Sequence, residues 1–427
     1  MKYDLIVIGA GPGGLMAART ASREGLKVIL VERKQNIPEI KRLCSMLMRL
    51  GPGGFSSDHV PKDKVINQVR VTFESDLGEH IIHLKNLNVT IPYHGGLRTY
   101  HNEVWISPSG YSYGTLPTND DTYGYCIDKE ALLAGLLNEC IEAGCEVRAG
   151  TKCTDVIEEP DGVKCSLATG NTTSEVLAHR AVIADGAFSP LLEKLGFNEG
   201  RTGPPPLKFL GYALDRIDAP YPESRFLKLA IPSIHKGQVS VGLWPHDTYQ
   251  IQISVPIGSP ENLTDLMDRI MHRSPFASWF KHSKIVSKLA CNMALLPNVE
   301  KPARGRIICV GDNAAYAETA IKGALGCGYV AGKAIKKSLE GGDGNAMYND
   351  YWDHAFYAHS AEYRAFGRRT LPPARMLDDK ETDTLYKWII DNHLHGMLQD
   401  VVADNLERLK ADLPQIAAKI VVPTAPR

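Results

Sequence analysis

The sequence predicts an α/β protein: a doubly wound, Rossmann-like domain that is interrupted by an antiparallel β-rich domain and followed by a helical C-terminal region. Three observations predict this class. A strand, a glycine-rich turn, a helix and a second strand open the chain. Two later apolar runs each end beside an acidic residue and a glycine, near positions 185 and 311. Segments in which apolar and polar residues alternate, typical of antiparallel sheet, lie between these motifs.

The opening unit spans residues 4–33 and reads DLIVIGAGPGGLMAARTASREGLKVILVER. Its two short apolar runs are typical of buried parallel strands, and the small residues between them suit a closely packed helix. In the G-x-G-x-x-G turn the first glycine makes the tight bend, the second admits a pyrophosphate, and the third lets helix and strand pack closely. The turn residues expected at a dinucleotide are Gly9, Gly11, Pro12, Gly13 and Gly14.

The end of the second strand narrows the choice of nucleotide. Glu32 closes that strand and is placed to accept hydrogen bonds from a ribose diol. The N-terminus of the preceding helix offers free N–H groups to the phosphates. An acidic residue favours an unphosphorylated ribose, as in NAD or FAD, whereas Arg33 directly after it leaves a phosphorylated ribose open.

Composition excludes several other classes. The chain has 427 residues and a formal net charge of −1, so no bulk attraction to nucleic acid is expected. The nine cysteines are scattered without a C-x-x-C pair, which argues against a metal site and a disulfide framework. Because the N-terminus already has the pattern of a strand, we expect no signal peptide and a cytoplasmic location.

The order of these patterns predicts three regions. Strand–turn–helix units occupy the first region, alternating segments the second, and mainly helical patterns the third. The predicted regions are a discontinuous nucleotide-binding domain (1–60, 120–200 and 300–340), a β-rich substrate domain (61–119 and 201–299) and a helical C-terminal region (341–427).

Two later motifs extend the nucleotide site. Asp185 and Gly186 follow the apolar run AVIA, and Gly311 and Asp312 follow the run IICV. A carboxylate at a strand end can accept from a ribose or ribitol hydroxyl, and the helix that follows can face the pyrophosphate or the pyrimidine edge of a flavin. Gly323 begins the glycine-rich helix after the second motif.

With these three motifs in this order, residues 1–340 resemble flavoproteins of the p-hydroxybenzoate hydroxylase fold. The resemblance implies that all three motifs serve one FAD. The group often has an arginine at the FAD just before the amphipathic helix, and Lys129 stands at that place here. No second dinucleotide fingerprint follows, so the resemblance leaves the electron donor open between NAD(P)H and another donor, an electron-donor protein included.

Within that group the chain is most similar to the geranylgeranyl reductase family, which reduces isolated C=C bonds of polyprenyl chains. The stretch VERKQNIPEIKRLCSML carries this resemblance, because Cys44 follows Glu32 at the family's spacing. It implies that Arg33, Arg42 and Cys44 lie at the cofactor. Flavin hydride would reach one carbon of the double bond, and Cys44 is the expected proton donor or a group that tunes the pocket. A buried structural thiol is the alternative for Cys44.

The implied substrate is a hydrophobic, isoprenoid-like small molecule. Such a substrate implies contact with a membrane surface, although no basic amphipathic helix marks one. The family's aromatic stretch before a proline is only partly present, in RFLKLAIPSIHKGQVSVGLWP. The residues expected to line the substrate pocket are Tyr93, His94, Trp244 and His246.

Two other functions remain open at this stage. A flavin-dependent monooxygenase that hydroxylates an aromatic substrate would share the fold and all three motifs. A flavin-binding protein without turnover belongs to a different class, and the complete motifs for the isoalloxazine end argue against it.

Overall fold

The computed structural model describes residues 3–50, 67, 69–76, 79–116, 122–203, 205–220, 224–294, 296–315, 319–356 and 376–420. The strands are β1 (Tyr3–Ile8), β2 (Val28–Val31), β3 (Leu47–Arg49), β4 (Val71–Asp76), β5 (Glu79–Leu84), β6 (Val89–Tyr93), β7 (Leu97–Tyr100), β8 (Asn102–Ile106), β9 (Ser112–Gly114), β10 (Gly124–Ile127), β11 (Glu146–Arg148), β12 (Thr151–Glu159), β13 (Gly162–Thr169), β14 (Thr172–Ile183), β15 (Leu207–Leu214), β16 (Arg225–Ile231), β17 (His235–Trp244), β18 (Thr248–Pro256), β19 (Ile285–Met293), β20 (Ala303–Arg304) and β21 (Ile307–Cys309). The helices are α1 (Pro12–Arg23), α2 (Lys129–Glu142), α3 (Pro190–Lys194), α4 (Leu263–Arg273), α5 (Ala320–Leu339), α6 (Gly344–Asp353), α7 (Asp379–Asp391), α8 (Leu398–Asp404), α9 (Leu406–Asp412) and α10 (Pro414–Ile420).

A parallel sheet in the order β11-β2-β1-β14-β21 confirms the predicted α/β class. Strands β2 and β21 are buried along their whole length, as expected when helices cover both faces of a parallel sheet. The glycine-rich turn, Asp185 and Gly311 follow the carboxyl ends of β1, β14 and β21, which are neighbours in the sheet. All three sequence motifs therefore meet at one edge, where open α/β sheets bind ligands.

Helix α5 packs closely on α1 because it carries glycines at the contact. A Cβ added to Gly328 would lie 2.2 Å from the carbonyl oxygen of Gly13, and one added to Gly332 would lie 2.7 Å from Thr20 Cβ. Both distances are too short for a real side chain, so only glycine permits this approach. The contact holds the end of the glycine-rich turn against the helix that follows Asp312.

The β-rich part is a seven-stranded sheet in the order β19-β15-β18-β17-β16-β8-β9. One face packs on α4 around a separate apolar core that includes Val241, Ile251 and Met267. The small sheet β4-β5-β6 lies elsewhere, because Ile82 and Ile91 pack into the core of the nucleotide-binding domain. Residues 71–93 therefore pack with that domain and not, as predicted, with the β-rich one.

The structure also divides the predicted C-terminal region. Helix α6 inserts Tyr348 and Trp352 into the nucleotide-binding core. Helices α7–α10 instead form a cluster against β9 and β16, fixed in part by Asp383, which accepts hydrogen bonds from Ser107 and Ser109. No helix in the described part of the chain has the length and apolarity needed to cross a bilayer.

We predict that Gly328→Ala destabilises the chain by about 1–3 kcal/mol, because the added methyl group forces α5 away from a backbone oxygen of α1. Urea unfolding of the full chain measures this change.

The matched control is Gly135→Ala on α2, where the nearest atom to the new Cβ is the carbonyl oxygen of Pro92 at an ordinary 3.5 Å. That control should gain about 0.5–1 kcal/mol, since alanine is the better helix former. Equal effects of the two substitutions would contradict the packing argument.

Candidate cofactor and substrate site

A continuous cavity of about 1040 Å³ begins at the glycine-rich turn and ends beneath the C-terminal helices. Its wall includes the turn residues, the ends of β14 and β21, one face of β8 and β16, and residues of α7 and α8. This volume lies at the upper end of the range of about 300–1000 Å³ for small-molecule sites. The cavity thus joins the predicted nucleotide site to the β-rich sheet.

The three fingerprint glycines have the geometry that their roles require. Gly9 has φ +99°, and a Cβ there would lie 2.4 Å from the carbonyl oxygen of Ala184. A Cβ on Gly14 would lie 1.9 Å from the carbonyl oxygen of Gly9. A Cβ on Gly11, by contrast, would meet no described atom within 4 Å. Gly9 and Gly14 are needed by the protein itself, while Gly11 leaves space for a ligand.

Glu32 is held at this turn by two backbone amides. Its Oε2 accepts from Ala10 N at 2.7 Å, and its Oε1 accepts from Lys34 N at 2.9 Å. Each carboxylate oxygen has further lone pairs, so the buried Glu32 can still accept from a ribose diol. Arg33 is exposed and also lines the cavity, together with Pro12 and Gly13 of the turn.

Asp185 and Gly186 line the same cavity after β14. Asp185 accepts hydrogen bonds from Ser189 Oγ at 2.7 Å and Asn313 Nδ2 at 3.2 Å. Burial raises the pKa of this carboxyl group, and the two hydrogen bonds oppose the rise. Gly186 has φ +86°, with no described atom near the position of its missing Cβ.

The second acidic motif, Gly311 and Asp312, follows β21, the strand next to β14 in the sheet. Gly311 has φ +83°, and Asp312 accepts from the buried hydroxyl of Thr319. Burial raises the pKa of Asp312, while the positive charges of Lys129 and Arg42 lower it. Both cations line the cavity, as does Asp312.

Gly323 is placed differently from the prediction. It lies buried in the first turn of α5, and its amide donates to Thr319 O at 2.7 Å. Its neighbours Ile321, Lys322 and Ala324 are among the described residues that line the cavity, but Gly323 is not. The backbone amide of Gly323 is therefore already used within the helix.

Cys44 lies half-buried in the cavity wall, on a segment that runs beside β19. Leu43 N donates to Ala290 O at 3.2 Å, and this contact brings a second thiol, Cys291, into the same wall. Burial raises the pKa of Cys291, and the nearby Arg42 opposes that rise.

The expectation that Tyr93 and His94 line the substrate pocket is wrong for this structure. Tyr93 is fully buried; its hydroxyl donates to Gly96 O and accepts from Asp128 N, each at 2.6 Å. This tyrosine thus braces the start of α2. The side chain of His94 is exposed and pairs with Glu79, Nδ1 to Oε2, at 2.5 Å.

Trp244 and His246 are likewise absent from the described lining of the cavity. Trp244 offers its carbonyl oxygen to Arg98 at 3.2 Å, at the end of β17. His246 lies in the following turn with φ +60°, its side chain 78% exposed.

Sequence reasoning missed a buried polar cluster at the far end of the cavity. Glu103 of β8 and Lys228 of β16 face the cavity, and Arg49 of β3 and Tyr386 of α7 complete the wall. The available signal was a charged residue at the inward-facing position of two otherwise apolar strands, EVWI and FLKLAI.

The chain matches the family model described as pyridine nucleotide-disulphide oxidoreductase over residues 3–204. It is 24% identical over 366 residues to digeranylgeranylglycerophospholipid reductase 2 of Methanococcoides burtonii, covering 82% of this chain and 80% of that protein. A geranylgeranyl bacteriochlorophyll reductase-like protein from Thermoplasma acidophilum has the same fold, with a TM-score of 0.69, 18% identity and 98% of each chain covered. The p-nitrophenol 4-monooxygenase of Pseudomonas putida shares the fold at a TM-score of 0.61, with 13% identity and coverage of 96% of this chain and 97% of that one.

Fold, motifs and relatives together define an FAD-dependent oxidoreductase. Within that class, the sequence is similar to digeranylgeranylglycerophospholipid reductases and the fold to a geranylgeranyl bacteriochlorophyll reductase-like protein, which supports the resemblance to the geranylgeranyl reductase family.

We predict that Gly11→Ala gives a folded chain that binds FAD at least about 10-fold more weakly, equivalent to about 1.4 kcal/mol. Gly11 has φ −76°, which alanine adopts freely, and the new methyl group would enter only the space left for the pyrophosphate. The measurement is titration of the apoprotein with FAD, followed by flavin fluorescence.

Gly96→Ala is the control, because its Cβ also meets no described atom within 4 Å but lies away from the cavity. Retention of full FAD affinity by Gly11→Ala would contradict the assignment of this turn to the cofactor.

Proposed function

We propose that this flavoprotein reduces C=C bonds of an isoprenoid-like hydrophobic substrate. The observation that carries the proposal is the single cavity that joins the nucleotide-binding turn, Cys44 and the inner face of the β-rich sheet. The relative from Methanococcoides burtonii is named a reductase of a digeranylgeranyl lipid, which favours the same substrate class here.

The described residues fit FAD in two groups. The uncapped N-terminus of α1 and the open space at Gly11 suit the pyrophosphate, and Glu32 suits the adenosine ribose. The acceptors and cations at the ends of β14 and β21 suit the ribitol and the pyrimidine edge of the flavin. The residues that we propose to hold FAD are Gly11, Pro12, Gly13, Gly14, Glu32, Arg33, Arg42, Cys44, Lys129, Asp185, Gly186, Gly311 and Asp312, which line the cavity, together with Gly9, which makes the tight turn before them.

Reduced FAD, when bound, supplies a hydride equivalent to one carbon of the double bond. The other carbon needs a proton, and the role that we propose for Cys44, in the cavity wall, is to donate it. The thiol is returned to its protonated form from solvent after each turnover. Apolar wall residues such as Phe209, Leu229 and Met293 exclude water from the reacting chain.

Electrons must reach the flavin from outside this chain, from NAD(P)H or from an electron-donor protein. We include both donors in the proposal. A polyprenyl substrate also implies transient contact with a membrane surface, where such chains are dissolved.

The decisive test reduces the FAD-loaded protein with dithionite without oxygen and then adds geranylgeraniol. Reoxidation of the flavin and a product heavier by two mass units per reduced bond are expected. Oxygen-dependent hydroxylation of an aromatic compound, with no alkene reduction, would overturn the proposal in favour of a monooxygenase. Absence of any turnover with either substrate would favour the non-catalytic alternative.

We predict that Cys44→Ala slows alkene reduction by about 10²-fold while the flavin is still reduced by dithionite, because only the proton source is lost. Single-turnover reoxidation of the flavin by the alkene measures this rate.

Cys291→Ala is the matched control, since it removes a thiol from the same wall. A rate for Cys44→Ala equal to that of the control would return Cys44 to a structural role.

A further inference from the structure

The pairing of β8 with β16 places four large side chains on the cavity wall. These strands are parallel neighbours in which Glu103 lies opposite Phe226 and Trp105 lies opposite Lys228. Side chains alternate between the faces of a sheet, so these four share one face. All four line the cavity, whereas the intervening Leu227 packs into the core on the other side.

The charges around Glu103 do not balance, and Glu103 and Lys228 are buried. Glu103 is 1% exposed; its Oε2 lies 3.0 Å from Arg49 Nη2, and its Oε1 lies 3.7 Å from Lys228 Nζ. Tyr123 donates its hydroxyl to the same carboxylate. One carboxylate thus faces two cations. An excess of buried charge is costly unless a ligand compensates it.

Several buried donors also lack partners. Arg49 Nε, Trp105 Nε1 and the hydroxyl of Tyr386 are buried and find no hydrogen-bond partner among the described residues. Tyr386 is itself only 1% exposed and lines the cavity. A buried donor without an acceptor is unfavourable, so these three donors indicate a missing acceptor.

Helix α7 supplies Tyr386 from a fixed position. Asp383, one turn earlier, accepts from Ser107 Oγ at 2.5 Å and Ser109 Oγ at 2.6 Å, beside strand β8. Asp379 accepts from the amide of Ser233, just after β16, at 2.8 Å. The helix is therefore tied to the two strands that carry the cluster.

We propose that Arg49, Trp105, Lys228 and Tyr386 form a subsite for an anionic oxygen group, a carboxylate or a phosphate, at one end of the substrate. The inference rests on the proposed function, because it assigns a polar end to the isoprenoid-like substrate of the same cavity. Lys228 supplies a positive charge that Glu103 compensates only from a distance, because its Nζ donates to Ser240 Oγ at 3.1 Å and lies 3.7 Å from Glu103 Oε1. The unpartnered donors complete the coordination of the anion.

Binding without turnover tests this subsite independently of catalysis. Geranylgeranyl phosphate, geranylgeranoic acid and geranylgeraniol are titrated into the oxidised holoprotein, and perturbation of the flavin absorbance reports the Kd. We expect both anions to bind at least about 10-fold more tightly than the alcohol, an increment of about 1.4 kcal/mol. Equal affinities for all three compounds would overturn the subsite and leave the proposed reductase function standing.

Two substitutions locate the effect. Lys228→Met should remove most of the preference for anions and leave the Kd of the alcohol within about 2-fold, because only a charge–charge contact is lost. Tyr386→Phe deletes one hydroxyl from a helix surface that is otherwise kept, so it tests the subsite even if Lys228→Met does not fold. Tyr386→Phe should raise the Kd of both anions by about 3-fold or more. Lys288→Met, at an exposed position of β19 outside the cavity, is the matched control.

If both variants instead bind all three compounds more weakly and to the same extent, the cluster only maintains the packing of the cavity wall. A further experiment adds inorganic phosphate as a competitor of geranylgeranyl phosphate. If free phosphate competes with geranylgeranyl phosphate, the subsite binds an anion even when no isoprenoid chain is attached to it. Competition only by geranylgeranyl phosphate analogues supports a head-group site that needs the attached chain.

The pH dependence gives a separate readout. Burial lowers the pKa of Lys228 to about 8, against the opposing charge of Glu103. Tyr123 and Arg49 share the Glu103 carboxylate with Lys228, and both keep their protons in this range, because burial raises the pKa of Tyr123 and the charges of Tyr123 and Glu103 raise the pKa of Arg49. Affinity for geranylgeranoic acid should therefore fall as the pH rises from about 7.5 to about 9.5, as the ammonium group loses its proton.

Lys322 lines the same cavity, and burial lowers its pKa to about 8 as well, so a smaller pH dependence should persist in Lys228→Met. The alcohol should show none in either protein. An unchanged pH profile in Lys228→Met would contradict the role of Lys228.

Discussion

The close approach of α5 to α1 is the contact on which the rest of the site depends. Because Gly328 brings α5 against the carbonyl oxygen of Gly13, the glycine-rich turn and the Gly311–Asp312 motif share one wall. The same helices meet again where Gly332 meets Thr20. A side chain at either glycine would part the helices and open the cavity at its nucleotide end.

The cavity has different electrostatics at its two ends. The nucleotide end contains helix amides and exposed cations, which suit a ligand that carries its own negative charge. At the far end, the polar groups are buried, and Glu103 holds Arg49 and Lys228 together. A buried pair of this kind is a poor source of stability by itself, which favours its interpretation as part of a binding site. The wall between the ends contains the two thiols and the apolar side chains of β15 and β19.

The C-terminal helices α7–α10 pack on the β-rich sheet and also form part of the cavity wall. They pack on the outer strands of the β-rich sheet through a separate apolar cluster that contains Tyr113 and Leu385. In doing so they cover the cavity and contribute Tyr386 and Leu398 to its wall. A chain ending after α5 would retain the nucleotide motifs and lose this cover, so the region around α7 shapes the end of the cavity that we propose for the substrate.

The sequence by itself determined the nucleotide half of this protein. The G-x-G-x-x-G turn, Glu32, Asp185 and Asp312 are readable because each role depends on a local pattern of strand, turn and helix. Tertiary structure decided the substrate half. Whether Tyr93 faces a pocket or braces a helix, and whether Lys228 faces Glu103 or solvent, depends on strand register and on elements distant in the chain. Period-2 alternation shows that a strand has two faces, but only packing against α4 and α7 decides which face becomes core and which becomes cavity.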